Sequence, residues 1–263
     1  MGINQNPNLE EVSGLVASVR HPGKLWAHND SGNPAVLFLL DSTGSTVTSF
    51  RIAGARNRDW EDIAIGGPDS AAVLFIGDIG DNQEHRQVKY IYCVKEPMDL
   101  EQEELPVVDT LKIQFEGRPR DSEALLADPV SGNLFLITKR EREVRLYEIP
   151  YPFVSDTLIL ESVAQLPLQH ITAGDISRDG SEILLRNYTS IYYWRRAPGQ
   201  SVPDALRQPP VELPYEPEPQ GETIAWAGDG SGYFTLSENG KGERGKLLFY
   251  SRVSGDKKSE VNR

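Results

Sequence analysis

The sequence is short of the features that usually place a protein quickly. It has one cysteine, Cys93, so no internal disulfide can form. That cysteine sits in the apolar run Tyr90-Ile91-Tyr92-Cys93-Val94, where a buried, inert thiol is expected. No apolar stretch approaches the roughly 18 residues that would span a bilayer. The opening Met1-Gly2-Ile3-Asn4-Gln5 is polar and has no leader pattern. Where Met1-Gly2 stands in place of a removed leader, the expected compartment is extracellular or periplasmic. Basic residues are scarce, with 27 Lys and Arg against 39 Asp and Glu, a net charge of −12. The absence of a basic stripe argues against a nucleic-acid partner. The acidity suits a cation site, and it equally serves solubility. Long helical periodicity is missing, which disfavours a parallel α/β fold. So are a G-x-S-x-G elbow, a phosphate-binding glycine loop and a zinc-type set of Cys and closely spaced His.

What the chain does have is a repeat. Five segments share one shape, an acidic or small pair, a short β run, a turn and an apolar strand. They start at Ser13, Glu61, Glu123, Gly174 and Glu222, spaced by 48, 62, 51 and 48 residues. Blades of four-stranded propellers repeat at about 40–50 residues. A second strand is plain in each unit: Leu25–His28, Val73–Ile76, Leu134–Ile137, Ile183–Leu185 and Tyr233–Leu236. A third follows each, and outer strands are expected at 46–52, 110–115, 158–166 and 211–215. These observations predict an all-β, five-bladed β-propeller with mostly four-stranded antiparallel blades. One domain over 1–255 and a disordered tail at 256–263 are expected. The fifth blade lacks an outer strand of its own, so the N-terminal segment must supply it or that blade stays three-stranded.

Antiparallel hairpins bring the start of each innermost strand and the end of each second strand to one face of the ring. Glu61, Glu123 and Glu222 therefore converge at a pore mouth, with Asp62 and Asp175 one step further in. Charges are rarely buried unless paired or metal-bound. Two readings follow. In one, the glutamates pair with Lys139, Arg140 and Arg186 and simply fix the ring. In the other, Glu61, Asp78, Glu123, Asp175, Asn187 and Glu222 hold calcium or another divalent cation, since these are hard oxygen ligands. Catalytic candidates are Glu61, Glu123 and Glu222, with His28 or His170 as base. Lys139, Arg140, Arg186 and Trp60 are candidates for binding a small, anionic substrate. For each lone histidine, a structural role is the simpler alternative.

The strings WAHNDSG (26–32), DWEDIA (59–64), GDIGDN (77–82), DSEALLADP (121–129), TAGDISRDG (172–180) and PQGETIAW (219–226) resemble a widespread β-propeller family, over nearly the whole chain. More distantly, TKR–LYEIP (138–150) and GYFTLSENG (232–240) resemble β-propeller phytases and esterase-like phytase proteins. Those phytases have six blades and bind several calcium ions, against five blades here. The resemblance implies the propeller fold, a bound cation and hydrolytic chemistry. The expectation is thus a monomeric, metal-dependent hydrolase of a phosphoester, ester or lactone. A non-catalytic binding module and a glycoside hydrolase using a glutamate pair remain as alternatives.

Overall fold

The computed structural model describes residues 2–154, 156–240 and 243–252. The expected tail at 256–263, and the boundary set at 255, lie outside the described residues. Five antiparallel four-stranded units follow one another along the chain. From innermost to outermost strand, the first blade is Val12–Ala17, Lys24–Asn29, Val36–Asp41 and Thr46–Ala53. The second is Trp60–Gly66, Val73–Asp78, Lys89–Lys95 and Glu104–Phe115. The third is Ser122–Ala127, Leu134–Thr138, Val144–Ile149 and Ser162–Leu166. The fourth is Ala173–Ile176, Glu182–Arg186, Ile191–Arg195 and Val211–Leu213, with a short helix, Val202–Leu206, before its outer strand. The fifth is Ala225–Trp226, Gly232–Leu236 and Lys246–Ser251, closed on the outside by Gly2–Ile3. The innermost strands pack on one another in cyclic order, the fifth against the first. No described helix is long and apolar enough to cross a membrane.

The core shows why these sequences make blades. Apolar side chains gather in five clusters, one at each junction between neighbouring blades. In Leu134–Thr138, Leu134 and Leu136 face the second blade while Phe135 and Ile137 face the fourth. Such a strand is buried on both faces, so it reads as a continuous apolar run although its side chains alternate. Each fully buried aliphatic side chain contributes about 2 kcal/mol. Cys93 belongs to this packing, and burial pushes its thiol up to about 12.

The N-terminal strand closes the ring, pairing Gly2 with Leu247 and Ile3 with Lys246. Elsewhere the pattern differs from the sequence reading in two places. The segment 158–166 splits. Leu158–Leu160 pairs in parallel with the outer strand of the second blade, and only Ser162–Leu166 completes the third. The 62-residue spacing is taken up within the second blade, whose outer strand runs for 12 residues and also pairs in parallel with the outer strand of the first.

One irregularity recurs where the site is built. The pairing of innermost and second strands shifts between Val12 and Gly14, between Trp60 and Asp62, and between Ser122 and Ala124. Ser13, Glu61 and Glu123 are thus the extra residues of three β-bulges at equivalent positions. A bulge leaves its residue unpaired and re-aims the side chain.

Candidate functional site

The upper mouth is taken as the side where the innermost strands begin. The bulged Glu61 and Glu123 meet there. Carboxylate oxygens of Glu61, Asp121 and Glu123 lie within 4.8 Å of one another, as do those of Asp30, Asp59 and Glu61. Glu61 belongs to both trios. It is 5% exposed, and no described donor reaches its carboxylate. Its place is set partly by Gly80, where a β-carbon would collide with Glu61 Oε1 and stand 2.7 Å from Asp59 Oδ2. A side chain at residue 80 would therefore displace the central carboxylate.

Glu222 approaches from the fifth blade. Lys139 Nζ lies 2.6 Å from Glu123 Oε2 and 4.0 Å from Glu222 Oε1, so it bridges two of the three glutamates. Tyr188 donates its hydroxyl to Glu222 Oε1 at 2.7 Å, and Lys139 stands 5.1 Å over the Tyr188 ring. Glu238 stands beside Glu222 and also feels Asp30 and Glu11. The mouth therefore collects Glu11, Asp30, Asp59, Glu61, Asp121, Glu123, Glu222 and Glu238 around one central lysine.

The electrostatics follow from that crowding. Burial pushes the Glu61 carboxyl well above its usual range, and Glu123, Asp30, Asp59 and Asp121 push it further. Burial raises Glu123 to about 8, against the pull of Lys139. Burial and the Glu222 carboxylate raise Glu238 to about 8, and burial raises Asp30 to about 6. Burial depresses the Lys139 ammonium, but its partner Glu123 outweighs that, and the net shift is upward. Carboxylates this close cannot all ionise without a counter-charge.

Glu61, Glu123 and Glu222 thus meet at one opening, while other sequence candidates are placed elsewhere. Asp78 is fully buried. Its Oδ1 accepts from Arg86 at 2.6 Å and from the Asp59 backbone at 3.2 Å, and it joins neither trio. Asp81 in the same GDIGDN loop is paired with Lys89 at 2.7 Å. The loop's acids are matched by its own cations, so its part in the site is Gly80 rather than a ligand. Asn187 shapes its own turn, accepting from the Thr189 and Ser190 backbones at 2.9 and 2.8 Å. Asp175 lies deeper, with Oδ2 accepting the Trp226 backbone N–H at 2.8 Å. Asp62 likewise accepts Leu125 N at 2.9 Å, tying the second blade to the third.

Among the expected substrate binders, Arg186 is sealed in the protein. It holds Glu218 at 3.2 Å, the Thr223 carbonyl at 2.8 Å and the Tyr215 hydroxyl at 2.6 Å. Arg140 Nε is 2.6 Å from Asp121. Trp60 is a core residue, its indole donating to the Arg56 carbonyl at 3.2 Å. His28 is sealed between the first two blades, with Trp60 edge-on at 5.4 Å, and burial lowers its imidazole to about 4. It is not at the opening. His170 is exposed on the rim, with its backbone N–H on the Lys139 carbonyl.

Sequence reasoning passed over Asp59 and Asp121, and it weighed Tyr188 only as an aromatic for stacking or packing. The two aspartates carried a signal, since Asp59-Trp60-Glu61 and Asp121-Ser122-Glu123 repeat D-x-E in adjacent blades. The role of the Tyr188 hydroxyl towards Glu222 carried no signal, because it reaches across a blade junction.

No family model and no curated protein matches the chain. Among solved structures it is similar to the PQQ-bound form of aldose sugar dehydrogenase from Streptomyces coelicolor. The TM-score is 0.54 at 13% identity, over 95% of this chain and 96% of that one. It is also similar to a chain in a nidogen/laminin complex, with a TM-score of 0.51 at 13% identity, over 87% of this chain and 72% of that one. At these identities the likeness shows the β-propeller fold and nothing finer. The distant likeness to phytases finds no counterpart among these neighbours.

Proposed function

We propose that the upper mouth binds a hard divalent cation, calcium by its donor set, and that the chain is a metal-dependent hydrolase of a small ester or lactone. The observation that carries this reading is Glu61. It is buried, meets four other carboxylates and has no described donor, so only a proton or a cation can neutralise it. Oxygen ligands from Asp30, Asp59, Glu61, Asp121 and Glu123 suit calcium, which takes six to eight of them. The sequence reading allowed an anionic phosphoester. The pairing of Lys139, Arg140 and Arg186 with carboxylates favours an uncharged acyl group instead. The same acidity does not suit a polyanionic quinone such as the PQQ of the dehydrogenase neighbour.

When bound, the cation would supply polarisation of the acyl carbonyl. The chain's residues do the rest. Glu238, whose carboxyl burial raises to about 8, keeps its proton and serves as the acid at the lip, beside the Glu222 carboxylate as base. Tyr188 holds Glu222 in place, and Lys139 offers a fixed positive charge beside both. A second reading, glycoside hydrolysis, draws on the short Glu61–Glu123 oxygen separation, within 4.8 Å. That is near the spacing of about 5–5.5 Å used by retaining enzymes.

Thermal melting after chelation, then with calcium, magnesium or manganese, tests the cation. A rise with at least one ion that is lost in Glu61→Gln is expected. No rise with any ion would overturn the site. Acyl ester, lactone and aryl glycoside substrates then test the chemistry. Turnover of an acyl substrate that falls in Glu222→Gln supports hydrolysis of that class. Turnover of the glycoside alone transfers the site to the second reading, and turnover of none leaves a cation-binding module.

A further inference from the structure

At the opposite mouth the innermost strands end around a cavity of about 490 Å³. Every blade contributes to its wall: Val16 and Ala17, Ile65, Ala127, Ile176, and Trp226. Phe234 and Phe249 add aromatic surface, so the lining is mainly apolar. The volume is that of an ordinary small-molecule site. One carboxylate, Asp175, also lines it. Protein atoms enclose this side chain, yet it keeps accessible surface, and the cavity borders it. Each of its oxygens accepts one backbone N–H, from Ile176 at 2.8 Å and Trp226 at 2.8 Å. A carboxylate has about four acceptor positions, so capacity remains.

The charges around it are unequal in their availability. Arg178 at the rim is paired with Asp69 across the opening. Lys24 and Asp229 stand further out on the lining. Asp62 is the other carboxylate close to Asp175, and it is held by the Leu125 and Ile63 backbones. No cation is paired with Asp175 among the described residues.

We propose that this lower cavity is a second ligand site, specific for a small apolar molecule carrying a primary or secondary ammonium group, with Asp175 as the charge it meets. The hydrocarbon part fills the space between the five strand ends, and the ammonium reaches the carboxylate. The site is independent of the cation-binding reading of the upper mouth.

Benzylamine, benzyl alcohol and benzoate are suitable probes by calorimetry on the whole chain with EDTA present. Benzylamine should bind once per chain, at least tenfold tighter than benzyl alcohol, with no binding of benzoate. Burial raises Asp175 to about 7, so amine affinity should climb about thirtyfold between pH 5.5 and 8.5. Asp175→Asn should remove the preference for the amine. Because that change also disturbs the bond to Trp226, Ala17→Leu serves as a second variant. It narrows the cavity, leaves every hydrogen bond in place and should weaken amine binding at least tenfold. Equal affinity for amine and alcohol would overturn the proposal. So would amine binding that survives Ala17→Leu but is lost in Glu61→Gln, which would move the ligand to the upper mouth.

Discussion

The pH dependence of stability without metal tests the carboxylate mouth directly. Glu123 is nearly fully buried, with its carboxyl raised to about 8 from 4.5. A carboxyl raised by folding keeps its proton in the native state when the unfolded chain has lost it. Stability is therefore full below the unfolded pKa and is lost as pH rises through the folded one. His28 works in the other direction, since burial lowers its imidazole from 6.5 to about 4. Its effect ends above pH 6.5, where both states are neutral. The window from pH 6.5 to 9 thus isolates the carboxyls. About 1.5 pH units of Glu123 titration remain in it, worth about 2 kcal/mol. Glu61, coupled to Glu123, shifts in the same direction, and the two are counted as one pair. For a chain of this size 2 kcal/mol is about 4 °C in melting temperature. In EDTA, scanning calorimetry should show at least that fall from pH 6.5 to 9, since Glu238, also raised to about 8, adds to it. With saturating calcium the Glu123 share of the fall should vanish, because the ligands must ionise to bind, while the share due to Glu238, which is not a ligand, remains. At a thousandfold excess over Kd the ion adds about 4 kcal/mol. A melting temperature in EDTA that is flat or rises from pH 6.5 to 9 would refute the argument. A calcium shift equal at both ends of that range would refute it too.

Lys139→Met should cost about 3–5 kcal/mol in urea unfolding by leaving Glu123 buried without its partner, and the loss should be greater at pH 9 than at pH 6. Gly80→Ala should shrink the calcium-induced rise in melting temperature, because the new methyl displaces Glu61, and an unchanged rise would show that Glu61 is not a ligand. Tyr188→Phe should lower hydrolytic turnover while leaving the calcium shift in place, since it removes a donor to Glu222 and touches neither trio. Deleting residues 1–5 should speed amide exchange at Leu247, whose strand loses its outer partner, and unchanged protection there would mean that the ring closes without it.

The architecture was legible because each blade repeats the same local chemistry. Leu134-Phe135-Leu136-Ile137 reads as a strand from composition alone, and its two-faced burial is what a blade between two others requires. The division of 158–166 was not legible. Both halves are strand-like, and the choice of partner depends on the long outer strand of the second blade, far away in sequence. The acidic mouth was legible from Glu61, Glu123 and Glu222, which recur at the same step of three units. Their surroundings were not. Arg186 looked free to bind an anion, but the chain returns Glu218 and Tyr215 to it from a loop 29 to 32 residues later. Trp226 follows Glu222 closely in sequence, yet a short inner strand carries it to the opposite mouth.

The bulge explains why neighbouring acids can have separate duties. Without it, strict alternation would place Trp60 and Asp62 on one face and Glu61 on the other. With an extra residue at 61, that carboxylate turns to the mouth, while Asp62 points inward and accepts the Leu125 backbone N–H. In the fourth blade, where no such shift occurs at Gly174, the acid that follows is again a clasp, Asp175 to Trp226. Backbone N–H groups hold Asp62 and Asp175 in place as clasps, whereas Glu61 faces only other carboxylates and must be neutralised by a proton or a cation. The acidity of this chain therefore divides along the innermost strands. Carboxylates at their starts gather at the upper mouth, with Glu61 among them meeting no described donor, and those one step deeper hold the blades together.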